Sequence, residues 1–233
     1  MDFSNKHVVV TGGTGALGSA VVGGLLGAGA TCIVPYMVEA EVTRFAHRDN
    51  AKVKLIRASG LADEAEVARL YAGVSSSNGL WASIHIAGGF AMGKVADTDK
   101  AALMTQLDNN LISCFLCCRA AVNAMRDGGR IVNVAARPAL EWRSGAGMAA
   151  YTVAKAGVAA LTVALAEEVA KDSILVNAVA PSIMDTPANR AAMPKADFDK
   201  WPKVEEVAAT ILFLASAGNK VTRGAIVPVY GKA

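Results

Sequence analysis

The sequence predicts a doubly wound α/β fold, a seven-stranded parallel sheet with helices on both faces, built as one domain over residues 1–233. Three observations carry this. Strand-like and helix-like segments alternate from end to end. Several strands are unbroken Val/Ile runs rather than alternating ones, as strands covered on both faces must be. The first strand runs into a glycine-rich turn that opens a helix.

The elements follow in order. Lys6–Val10 (KHVVV) is a short β-branched strand, and residues 16–28 read as an apolar helix. Thr31–Val34 is a second strand and Glu39–His47 a helix. Val53–Ile56 is a third strand. Asp63–Tyr71 is an amphipathic helix with Asp63 as its N-cap. Trp81–Ile86 is a fourth strand, and residues 99–126 form one long helix. Arg130–Val134 (RIVNV) is a fifth strand, followed by a second long helix over 149–170. Ile174–Ala178, the helix Val204–Ala215 and the strand Ala225–Val229 complete the alternation. The least regular stretch, 181–203, is rich in Pro, Asp and Met, and its part from about 185 to 203 reads as a lid over a substrate.

Composition narrows the classes. The chain is 53% hydrophobic and 18% charged, which suits a large core and excludes a disordered chain. Lysines and arginines form no run and the net charge is only +3, so no nucleic-acid partner is expected. Val8–Val38 carries no charge and is long enough to span a bilayer, but eight of its positions are glycine. Strand, turn, helix and strand account for it better, so no membrane segment is expected. The start, MDFSNKH, lacks a secretory pattern. Cys32, Cys114, Cys117 and Cys118 make no disulfide framework and fit a reducing cytoplasm. Cys114 and Cys117 form a C-x-x-C without a second pair or a nearby histidine. No metal is expected there, and the cysteines read as small apolar residues of a helix face.

The chemistry starts in the glycine turn. Gly13, Gly15 and Gly18 fit G-x-G-x-x-G, while Gly12, Gly15 and Gly18 fit T-G-x-x-G-x-x-G. Both readings let backbone N–H groups of Gly12, Gly13, Thr14, Gly15, Ala16, Leu17 and Gly18 approach a pyrophosphate at a helix N-terminus. An acid closing the second strand would bind the adenosine ribose of NAD. Here Tyr36 follows Val34-Pro35, with no acid until Glu39 and with Arg44, His47 and Arg48 beyond. The missing acid leans toward NADP, with NAD open.

Tyr151 and Lys155 stand four residues apart at the start of the second long helix, on one face. A neighbouring ammonium lowers a phenol's pKa from about 10 toward neutrality, so the tyrosine can exchange the substrate's proton.

With these pieces the chain resembles the short-chain dehydrogenase/reductase family over nearly its whole length, which implies a Rossmann fold and NAD(P)-dependent oxidoreduction of a small molecule. The matching residues are Thr11–Gly18, Ala87-Gly88 after strand four, Asn110, Arg130–Val134, Tyr151, Lys155, and Asn177–Pro181 with Thr186. The resemblance implies that Asn110 holds a water in a proton relay from Lys155, that Ala87, Gly88 and Gly89 border the cofactor, and that Pro181, Ile183 and Thr186 line its nicotinamide pocket. It also implies a homodimer or homotetramer joined through the long helices.

Two departures stand out. The family's N-N-A-G reads His85-Ile86-Ala87-Gly88, where His85 is either catalytic or a packed strand-end histidine. The serine that usually follows strand five and polarises a carbonyl is replaced by Ala135-Ala136. Ser144 is either its substitute or an ordinary loop serine. Losing one such donor costs about 10²–10³ in rate where charge builds on oxygen. Dihydropteridine reductases, a branch of the family, carry alanine there and reduce an electron-poor quinonoid substrate. Gly12–Ser19, Ala87–Phe90 and the stretch from Asp185 to Trp201 are similar to that branch. The substrate candidates are Phe90, Ala136, Met184, Met193 and Trp201. The first expectation is therefore a reductase resembling dihydropteridine reductase. A general carbonyl or alcohol oxidoreductase and a non-catalytic nucleotide-binding regulator remain as alternatives.

Overall fold

The computed structural model describes residues 1–75 and 79–232, with the side chain of Ser75 also outside the description. Seven strands form one parallel sheet: β1 His7–Thr11, β2 Thr31–Tyr36, β3 Val53–Arg57, β4 Ala82–His85, β5 Gly129–Val134, β6 Ile174–Pro181 and β7 Ile226–Val229. Their order across the sheet is β3-β2-β1-β4-β5-β6-β7. The order turns around between β1 and β4, and crevices open at the carboxyl ends of strands at such switch points.

Side-chain alternation along the strands feeds two cores. Val9, Ile33, Ile131 and Val176 pack on one face beneath α3 (Glu64–Ser75), α5 (Ser113–Ala124) and α7 (Ala149–Glu168). Val8, Val10, Val34, Val132 and Val179 pack on the other, beneath α1 (Ala16–Gly27) and α9 (Val204–Ala215). Both faces are thus buried, which is why the strands read as continuous apolar runs. α7 is long and apolar enough to cross a membrane by length and composition, and in this fold it packs on α4 (Lys100–Leu107), α6 (Arg137–Leu140) and β6.

The differences from the sequence reading are local. The helix expected over 39–47 is α2, Glu39–Arg44, and ends where Phe45 turns extended and becomes buried. The single helix expected over 99–126 contains a π turn at Asp108–Ile112 between α4 and α5. Such turns are rare and concentrate at functional sites. Asp63 caps α3 as expected, its carboxylate accepting from the Glu66 N–H at 3.0 Å. The irregular stretch 181–203 holds a short helix, α8 (Pro187–Ala192), capped by Thr186, whose hydroxyl accepts from the Asn189 N–H at 3.2 Å. Arg190 stacks on Phe198 and donates to the Asp185 carboxylate, tying the stretch to itself.

Candidate active site

Two cavities of about 220 Å³ each open at the switch point, and both are lined by Leu17, Ile86 and Gly88. They form one groove from the glycine turn to Tyr151.

The first end is built by the β1–α1 turn. Gly12 has φ +66°, and a Cβ there would sit 2.7 Å from the Ala87 backbone nitrogen, so only glycine closes this turn. Gly15 caps α1 without a side-chain bond and the first turn carries no acid. The turn lines the groove and its helix N-terminus has no side-chain cap, an arrangement that fits an anion. Gly12, Thr14, Gly15, Ala16, Leu17, Gly18, Tyr36, Ala87 and Gly88 all line this end, as the sequence implied. Gly13 does not, because its α-carbon faces the Val34 side chain.

This end also contains an acid that the sequence reading passed over. Glu41, in the first turn of α2, lines the cavity, and the Thr14 hydroxyl donates to its Oε2 at 2.7 Å. Glu41 does not close β2; α2 turns back and returns this carboxylate five residues past Tyr36. Arg44, His47 and Arg48 are outside the lining. Arg48 donates to the Thr43 carbonyl and pairs with Asp49, and His47 packs edge-on to Phe45.

The second end is lined by Gly88, Gly89, Phe90, Asn110, Ala136, Tyr151, Lys155, Pro181 and Met184, all expected, together with Val134, Ala135 and Ser182. Tyr151 lies in the first turn of α7, where its ring meets Phe90 edge-on at 5.1 Å. Lys155, one turn on, is 6% exposed and donates to the Val134 carbonyl at 2.8 Å. Burial pushes the Tyr151 phenol up to about 12 and the Lys155 ammonium down to about 8, the latter opposed by negative charge on the Cys114 sulfur. The expected lowering of the Tyr151 pKa is absent here. The ammonium, 6.0 Å from the ring centroid, is turned to Val134 while the phenol is desolvated.

Asn110, in the π turn, also differs from its expected role. Its amide donates to the Gly89 and Gln106 carbonyls at 2.9 and 3.0 Å, and its oxygen accepts from the Gly89 N–H at 3.2 Å. The side chain is thus a clamp on the Gly89 turn. A Cβ on Gly88 would sit 2.6 Å from Asn110 Oδ1, so this turn too needs glycine.

Several candidates fall outside the groove lining. Ile183 is 44% exposed, Thr186 caps α8, Met193 ends α8, and Trp201 is buried against Phe198. The stretch 185–203 folds onto itself rather than over Tyr151. Ser144 donates to the Glu141 carbonyl in an exposed loop and does not replace the missing serine. His85 is buried on the far side of Ala87, bonded to Ser83, Tyr71 and Asn133.

Comparison with known proteins agrees with this geometry. A family model described as enoyl-(acyl carrier protein) reductase matches residues 13–231. The chain is 33% identical to galactitol 2-dehydrogenase of Rhizobium johnstonii, over 97% of this chain and 94% of that one. It is 29% identical to 2,3-dihydroxy-2,3-dihydro-p-cumate dehydrogenase of Pseudomonas putida, over 99% and 95%. A short-chain dehydrogenase/reductase structure from Serratia marcescens superposes with a TM-score of 0.87 at 27% identity, covering all of both chains. The glycine turn, the switch-point groove and the Tyr151–Lys155 pair thus stand in a chain that belongs to the short-chain dehydrogenase/reductase family of oxidoreductases.

Proposed function

We propose that this oxidoreductase uses a nicotinamide dinucleotide to reduce an electron-poor conjugated substrate of the quinonoid dihydropterin kind. One observation carries the reading. The catalytic end of the groove presents Tyr151 and Lys155 but only Ala135 and Ala136 where a carbonyl-polarising serine would stand. A substrate that already accepts hydride readily needs no such donor, whereas an unactivated ketone loses about 10²–10³ in rate without it.

The bound cofactor supplies the hydride. The turn at Gly12 and the N-terminus of α1 would hold its phosphates, and Glu41 with Thr14 would face its adenosine ribose. A carboxylate there accepts from a ribose hydroxyl and repels a 2′-phosphate, which supports NAD over the NADP lean of the sequence. Lys155 holds a positive charge beneath Tyr151. Tyr151 delivers the proton to the substrate atom, while Phe90 and Met184 provide an apolar wall.

A second reading is favoured by the full-length similarity to galactitol 2-dehydrogenase, namely interconversion of a secondary alcohol and a ketone. The test is to install the missing hydroxyl with Ala136→Ser and to measure a quinonoid dihydropterin beside a panel of ketones and polyols. The pterin reading expects a fast wild-type rate on the former and ketone reduction that improves tenfold or more with the new serine. A wild-type enzyme fast on polyols and inert to the pterin overturns it.

The same proposal includes a second copy of the chain. Ile112, Phe115, Val153 and Val163 are exposed apolar residues of the π turn, α5 and α7. This supports a dimer or tetramer built on these helices, checked by light scattering of wild type against Phe115→Glu. All four cysteines are unpaired, which supports a reducing, cytoplasmic setting, checked by tracking a tagged full-length chain.

A further inference from the structure

The face of the sheet beneath Lys155 holds a polar cluster that the proposed reaction does not use. Cys114 and Cys118 stand one helical turn apart on α5 and meet His85 from β4. Their ligand atoms all lie within 4.8 Å of one another, and all three residues are buried. The C-x-x-C of the sequence is therefore not the operative pair. Cys117 points elsewhere, and the histidine that sequence spacing could not supply arrives across the sheet.

We propose that Cys114, Cys118 and His85 form a structural zinc site, closed to solvent. Three features of the geometry argue for it. First, the spacing fits. Zinc with bonds of about 2.3 Å to sulfur and about 2.0–2.1 Å to nitrogen in a tetrahedron separates those two ligands by about 3.6 Å. Cys118 Sγ and His85 Nδ1 are 3.5 Å apart. Second, an oxygen stands beside both ligands. Asn133 Oδ1 lies 3.5 Å from Cys118 Sγ and accepts from His85 Nδ1–H at 2.8 Å in the metal-free chain, so this contact must open to about 3.4 Å for both atoms to bind the metal. The oxygen is aimed inward because the Asn133 amide donates to Thr162 Oγ1 at 2.9 Å. Third, the outer partners of the imidazole are built. His85 Nε2 lies 2.8 Å from Ser83 Oγ, which lies 2.7 Å from the Tyr71 hydroxyl. With Nδ1 on the metal, Nε2–H donates to Ser83, the arrangement that orients zinc-bound histidines elsewhere.

Charge also balances. Binding converts two thiols to thiolates and releases two protons, and the divalent cation with two thiolates is neutral. A neutral centre is the form that a site excluded from water tolerates. The metal would tie α5 to β4 and β5 directly below the helix turn that carries Asn110.

The experiment is elemental analysis of the full chain, purified without chelator from zinc-supplemented cells. The inference expects about one zinc per chain, falling at least tenfold in Cys118→Ala and Cys114→Ala and retained in Cys117→Ala. To cover variants that fail to fold, wild type refolded with Co²⁺ should show thiolate-to-cobalt charge transfer and the intense visible bands of a tetrahedral centre. Wild type that holds no zinc and gives no cobalt–thiolate spectrum overturns the inference, as does zinc that stays bound in well-folded Cys118→Ala.

Discussion

Asn110 and Gly89 hold each other by two hydrogen bonds, amide to carbonyl at 2.9 Å and N–H to amide oxygen at 3.2 Å. This clamp fixes the turn that separates the two ends of the groove, directly beside Lys155. Replacing Asn110 by Ala leaves the Gly89 backbone without its partners, at a cost of about 1–3 kcal/mol. We expect a lowered thermal midpoint and a ten- to hundredfold lower kcat/KM, since sub-ångström positioning carries such factors. Asn110→Asp keeps the acceptor and should retain part of both. An Ala variant with wild-type kinetics would remove the clamp from the account.

Tyr151→Phe should lower turnover by 10²–10⁴, the usual contribution of a positioned proton donor. The dinucleotide should still bind, because the glycine turn lies at the opposite end of the groove. Stopped-flow rates with fluorescence titration of the reduced cofactor separate the two effects.

Glu41→Gln should shift preference from NAD toward NADP by about tenfold or more in the ratio of kcat/KM values. It removes a negative charge from the cavity wall without removing the side chain that Thr14 meets. An unchanged ratio would place the adenosine ribose away from Glu41.

The pH dependence of reduction follows from burial. Lys155 is held down to about 8 and Tyr151 up to about 12. Below about pH 8 the ammonium is charged and supports the proton donor. Above it the charge is lost while Tyr151 remains protonated but a weaker acid. We expect kcat/KM for reduction to be level below about pH 8 and to fall above it. A rise through pH 8–9 would contradict this assignment.

Stability should respond to alkali through a thiol far from the groove. Burial raises Cys32 from 9.0 to about 12. Its folded-state pKa lies above the unfolded one, so its contribution is complete below pH 9 and is lost as pH rises toward 12. The slope is about 1.4 kcal/mol per pH unit. Denaturant unfolding of Cys32→Val should show a shallower alkaline decline than wild type. Equal slopes would show that the thiol does not carry it.

Much of this was legible in the chain, for identifiable reasons. The strands were visible because burial on both faces forces runs such as Val8-Val9-Val10, and all seven fall where those runs predict. Gly12, Tyr151 and Lys155 were legible because a turn and a helical spacing are local constraints. Glu41 and the Cys114–Cys118–His85 cluster were not, because α2 folds back and β4 lies beneath α5 only in three dimensions. Thr186, Met193 and Trp201 fall outside the groove lining, in a stretch that the ion pair of Asp185 with Arg190 and the stacking on Phe198 fold on itself.

The most direct test of the central claim is the initial rate of NADH and NADPH oxidation by the purified enzyme with a quinonoid dihydropterin, in wild type and Tyr151→Phe. Rapid oxidation is expected, with NADH preferred, and it is lost in the variant. No rate above background with either cofactor, from an enzyme active on ketones or polyols, would contradict it.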